Sequence, residues 1–124
     1  MVRRVLIVDE EITMRLTLSY LLRKIGYVVT ACASAAEALE LARSAPHLVV
    51  LGDLLPSSME TLDGPGILVA LKRESPASRI LVLTAERGPE VRQIAMAQGA
   101  DGFCEKPMDL EKLLLAIKSL EPST

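Results

Sequence analysis

Five short apolar runs punctuate the chain: "VLIV" (5–8), "YVVTA" (27–31), "LVVL" (48–51), "ILVLT" (80–84) and "GFCE" (102–105). Runs of four or five residues bounded by polar, Gly or Pro residues read as strands buried on both faces, as in a parallel sheet. Between the first two, Ile12, Leu16, Tyr20 and Leu18, Leu21, Leu22, Ile25 recur at helical spacing, and Gly26 closes the segment. The next helix opens on "SAAE", with Ser34 as N-cap and Glu37 three residues on, a capping box. Pro65 and Pro89 stand in the first turns of the third and fourth helices, and Gly99 ends the fourth. The last begins at Asp109 and runs "LEKLLLAIKSL". The order is (βα)5, an α/β chain expected to form one doubly wound domain with helices on both faces of the sheet.

With two Tyr, one Phe and no Trp, the core must be aliphatic. A length of 124 residues suits one domain, here residues 1–120, with 121–124 read as a tail or the start of a linker. Acidic and basic residues are mixed, the net charge is −2, and no basic stripe accompanies aromatics. Nucleic-acid binding is therefore not expected. The basic "MVRR" precedes only four apolar residues before "DEE", which is no signal-peptide pattern, and no run approaches a membrane span. A cytoplasmic location without membrane contact follows as the expectation. Cys32 and Cys104 sit in apolar contexts and read as structural thiols, and His47 has no second ligand at useful spacing.

In open parallel sheets the site lies outside the carboxyl ends of the strands. Asp9, Glu10 and Glu11 follow the first strand, Gly52 and Asp53 the third, Thr84-Ala85 the fourth and Lys106-Pro107 the fifth. Adjacent carboxylates suit a hard divalent cation such as magnesium, a lysine can pair with a carboxylate or phosphoryl group, and a threonine hydroxyl can donate to a phosphoryl oxygen. An aspartate can serve as nucleophile and form an acyl phosphate. Each group also has a plainer reading: the acids can favour a helix N-terminus, Thr84 can be an ordinary strand residue, and Lys106 a solvated charge.

The whole constellation resembles the receiver domain of bacterial response regulators, over essentially the entire chain. "VLIVDEE" looks like the family's first strand and acidic pair, with Asp9 and Glu10 in the acidic places. "ILVLTAE" is similar to the strand ending in the switch threonine, here Thr84, and "GADGFCEKPMDLEKLLLAI" to the closing strand and helix. The resemblance puts Lys106 at the family's lysine, Pro107 in its usually cis bond and Phe103 at the aromatic switch position. It implies a flavodoxin-like five-stranded parallel sheet of order 2-1-3-4-5, and a signalling module of a phosphorelay rather than an enzyme. It also implies a histidine kinase or phosphotransfer protein as partner, and output or homodimerisation through the fourth helix, fifth strand and fifth helix, roughly residues 89–120. A small enzyme finds no support: there is no phosphate-binding G-x-x-x-x-G-K-[ST] loop, no D-x-D pair after a strand, and no Ser or Cys with a paired His.

The third strand departs from the family. Members usually carry the phosphoacceptor aspartate four residues before a proline, and four before Pro56 stands Gly52. Aligning "PHLVVLG" with the family's P-D-L-V-L-L-D gives the same result. Asp53 comes one residue late, and a one-residue slip turns a strand side chain to the other face. The favoured expectation is a degenerate receiver acting through protein contacts. The alternative is a phosphorylatable, magnesium-dependent switch in which a bulge at Gly52 returns Asp53 to the pocket, with Asp9, Glu10 and Asp53 as metal ligands. The loop over 56–64 is longer than the family's common turn and reads as a tolerated surface insertion, a partner-recognition element or a lid over the crevice.

Overall fold

The computed structural model describes residues 3–52, 66–85, 89–106 and 109–121. Its elements alternate strictly: β1 (Arg4–Asp9), α1 (Ile12–Lys24), β2 (Val28–Cys32), α2 (Ala35–Ala42), β3 (Leu48–Gly52), α3 (Ile67–Glu74), β4 (Arg79–Thr84), α4 (Pro89–Ala97), β5 (Gly102–Glu105) and α5 (Leu110–Ser119). The five strands form one parallel sheet of order β2-β1-β3-β4-β5. This is the flavodoxin-like architecture that the apolar runs and the family resemblance led one to expect. Asp53, the 56–64 loop, Pro65 and Pro107 fall outside the described residues.

Alternate side chains of each inner strand feed two separate cores. Leu6, Val8, Val49, Leu51, Ile80 and Val82 pack with residues of α2, α3 and α4. Val5, Ile7, Leu48, Val50, Leu81 and Leu83 pack with Leu18 and Leu22 of α1 and Leu113 and Ile117 of α5. Burial on both faces explains why these strands read as unbroken apolar runs. Of the two apolar series in α1, only one is needed for this packing: Leu18 and Leu22 are buried, whereas Ile12, Leu16 and Tyr20 are 60–63% exposed.

The helix ends follow the punctuation in the sequence. Ser34 Oγ accepts the Glu37 N–H at 3.2 Å, and the Asp109 carboxylate accepts the Lys112 N–H at 2.8 Å. Gly26 and Gly99, with φ of +103° and +114°, make the left-handed turns after α1 and α4. β2 begins one residue later than its apolar run suggests, because Tyr27 serves the turn instead: its N–H donates to the Leu22 carbonyl at 3.0 Å. His47, given no site role, is structural too, its Nδ1 accepting the Arg4 N–H at 3.0 Å. At the start of β5, Asp101 accepts the Ile80 N–H and the Lys72 ammonium, both at 2.8 Å. Burial alone would raise its carboxyl, but these two hydrogen bonds and the Lys72 and Arg79 charges hold it below the usual range.

The Tyr27 hydroxyl donates to Glu121, whose carboxylate also lies 3.9 Å from Arg3, so the residue two beyond α5 is tied to those that lead into the first two strands. Burial, then the hydrogen bond to Glu121 and its charge, push the Tyr27 phenol up to about 12, against the opposing pull of Arg3. The fold thus favours the protonated phenol. That contribution is whole below the ordinary tyrosine value of about 10 and is lost as pH rises through about 12. Alkaline titration followed by phenolate absorbance should show Tyr27 ionising near 12, with stability declining over the same interval, and Tyr27→Phe should flatten that decline.

Candidate functional site

At the carboxyl edge of the sheet, Asp9 ends β1 and Gly52 ends β3, directly opposite each other in the register. Thr84 ends β4 opposite Glu105 of β5, and Lys106 follows. The Lys106 N–H donates to the Thr84 carbonyl at 2.6 Å, extending the ladder one step and bringing the lysine back over the sheet. Its Nζ donates to Asp9 Oδ2 at 3.2 Å, with both side chains almost entirely buried. The other oxygen, Asp9 Oδ1, accepts the Glu11 N–H at 2.9 Å and so turns the chain into α1. This matches the plainer reading of the acidic cluster at one residue, through a hydrogen bond to the amide ahead of the helix.

Gly52 matters for what its missing side chain leaves open. A Cβ built there would stand 2.8 Å from Asp9 Cγ and closer still to Oδ2. At separations under about 3 Å one of the two must shift, so the Asp9 carboxylate occupies the volume in which a residue-52 side chain would stand. The glycine at this strand end and the aspartate beside it are one packing unit.

Of the residues singled out in the sequence, Asp9, Gly52 and Lys106 come together through side-chain space, and Thr84 joins them through its carbonyl. Thr84 is fully buried. Glu10 is exposed, and its carbonyl accepts from Arg15 Nη1 at 3.1 Å. Phe103, opposite Val82 on β5, packs against the α2–α3–α4 core with the Arg92 guanidinium 5.8 Å from its ring centroid. Asp53 lies outside the described residues. Sequence reasoning missed Arg15, whose Nη1 also bonds the Asp9 carbonyl at 2.8 Å and so clamps the β1–α1 turn. Its signal was its place one turn into the helix after an acidic cluster, within reach of the turn's carbonyls.

The described residues do not make up a divalent-cation site. Each Asp9 oxygen accepts from a protein donor, Gly52 supplies no side-chain ligand, and no group of three or more His, Cys, Asp or Glu side chains is gathered among the described residues. Among the described residues no helix is long and apolar enough to cross a membrane.

The sequence pattern of the response regulator receiver domain matches residues 5–118. The chain is 32% identical over 117 residues to the probable transcriptional regulatory protein TcrX of Mycobacterium tuberculosis, covering 94% of this chain and 48% of that one. It therefore spans about half the length of that relative. Chemotaxis protein CheY4 of Vibrio cholerae has the same fold, with a TM-score of 0.80 and 30% identity over 97% of this chain and 99% of that one. A response regulator from Burkholderia pseudomallei, solved with a phosphorylated aspartic acid, a calcium ion and citrate, superposes with a TM-score of 0.76 at 27% identity, over 92% of this chain and 65% of that one.

Proposed function

We propose that this chain, which belongs to the response regulator receiver domain family, is a degenerate receiver that signals through protein contacts without being phosphorylated. The observation that carries this reading is at the end of β3. Gly52 ends β3 directly opposite Asp9, and the volume of its absent side chain holds the Asp9 carboxylate, which the Lys106 ammonium meets at 3.2 Å. Glycine has no nucleophile, so no acyl phosphate forms at that position.

Strand alternation argues against the residue next to it. Leu48 and Val50 point to the α1–α5 face, as does the Gly52 position, whereas Val49 and Leu51 point to the α2–α3–α4 face. A regular continuation would send residue 53 to the second face, away from Asp9 and Lys106. Output then belongs to the α4–β5–α5 surface, residues 89–120, where Ile94, Met96, Leu110 and Leu115 are 41–67% exposed and available to a partner protein or a second copy. We place the domain in the cytoplasm, among two-component signalling proteins, with no nucleic-acid contact of its own.

The test is intact mass after incubation with magnesium and a small-molecule phosphodonor, alongside Asp53→Ala. The expected result is an unchanged mass in both proteins. A gain of one phosphoryl group that disappears in Asp53→Ala overturns the reading and makes Asp53 the acceptor of a magnesium-dependent switch.

A further inference from the structure

β1 and β5 are not neighbours: β3 and β4 lie between them. At about 4.8 Å per strand interval, the two strand axes are separated by roughly 14 Å. A contact between the ends of β1 and β5 must therefore pass over the ends of β3 and β4, and a side chain at residue 52 would take the space in which the Asp9 carboxylate makes it. Gly52 leaves that route open, and the Asp9–Lys106 pair takes it, at 3.2 Å.

We propose that Asp9 is an internal stand-in for the missing acceptor side chain, a cross-sheet brace that holds the β5–α5 end, and with it the 89–120 surface, in one state. This rests on the degenerate-receiver reading above. The brace has contacts at both ends. One Asp9 oxygen is fixed by the Glu11 N–H at the entry to α1, and the other holds the Lys106 ammonium. Lys106 is in turn bound to β4 through the Thr84 carbonyl, and Asp109, three residues on, caps α5. A shift of the Asp9 carboxylate would consequently be felt at the start of α1 and at the β5–α5 junction together. Asp9 acts here as a positioning residue. Packed elements joined by a buried polar contact change arrangement in discrete steps rather than by gradual deformation, so loss of the contact should release a second state.

The experiment is amide NMR on the full chain, comparing the wild type with Asp9→Asn, which keeps the shape and removes the charge, and Gly52→Ala, which keeps the charge and occupies its space. Both variants should displace or broaden the amides of 102–106 and spread the change to α4 and α5. Wild type treated with magnesium and beryllium fluoride, a phosphoryl mimic, should leave those amides where they are. If either variant keeps a dispersed spectrum and changes are confined to residues touching positions 9 and 52, the brace is overturned while the degenerate-receiver reading stands. If beryllium fluoride moves the 89–120 amides of the wild type, the degenerate reading fails and the stand-in role goes with it.

Discussion

Asp9→Ala is expected to lower the unfolding free energy by about 3 kcal/mol, since it removes a buried carboxylate that accepts from both a buried ammonium and a backbone amide. Hydrogen bonds to charged groups contribute roughly 1.5–3 kcal/mol each when water is excluded, and Asp9 is 1% exposed. With a urea slope of about 1.5 kcal/mol per molar, the midpoint should fall by about 2 M. Asp9→Asn retains the acceptor for Glu11 but loses the charge opposite Lys106, so it should cost roughly half as much. A midpoint shift matching less than about 1 kcal/mol for Asp9→Ala would be the behaviour of an exposed ion pair and would show that water reaches this strand end.

Gly52→Ala should cost about 2 kcal/mol alone and nothing in the Asp9→Ala background. In the wild-type chain the new methyl meets Asp9 Cγ at 2.8 Å, so the carboxylate has to move and its contact with Lys106 is strained or lost. Once Asp9 is alanine the volume is open. The substitution then acts mainly on the unfolded chain, where alanine has less freedom to lose than glycine, and stabilises by about 0.5 kcal/mol. The sign of the effect at residue 52 thus depends on residue 9, giving a coupling of about 2.5 kcal/mol in a double-mutant cycle of urea unfolding curves. Additive effects would mean that the two positions do not share space.

The architecture was legible because its determinants are local. Apolar runs such as 48–51 and 80–84 are buried on both faces, and Ser34, Asp109 and Pro89 mark helix entries through contacts or backbone angles within a few residues of themselves. The pocket was legible only in part. That Asp9, Thr84 and Lys106 gather at one edge follows from strand order, and the glycine at residue 52 could be counted from two anchors. What fills the space of that glycine could not be read. The Asp9–Lys106 contact joins residues 97 apart in sequence, and its geometry depends on how Lys106 is hooked to Thr84. The same holds for Tyr27, whose hydroxyl finds Glu121 at a separation of 94 residues. Tyr27 looked like a strand residue because its apolar body fits the pattern, while its polar tip is committed elsewhere.

The shared volume at the end of β3 also constrains how this sequence can change over evolutionary time. An aspartate arriving at residue 52 would place a second carboxylate where that of Asp9 already lies, two like charges in a space that now holds one. Placing a carboxylate at this position is thus not a single substitution with a single effect. Asp9 must first be drawn away from Lys106, by a cation or by a further change in the β1–α1 turn that Arg15 and Glu11 hold. Residues 9 and 52 are therefore constrained as a pair: a side chain at residue 52 is unfavourable for as long as the Asp9 carboxylate occupies its volume.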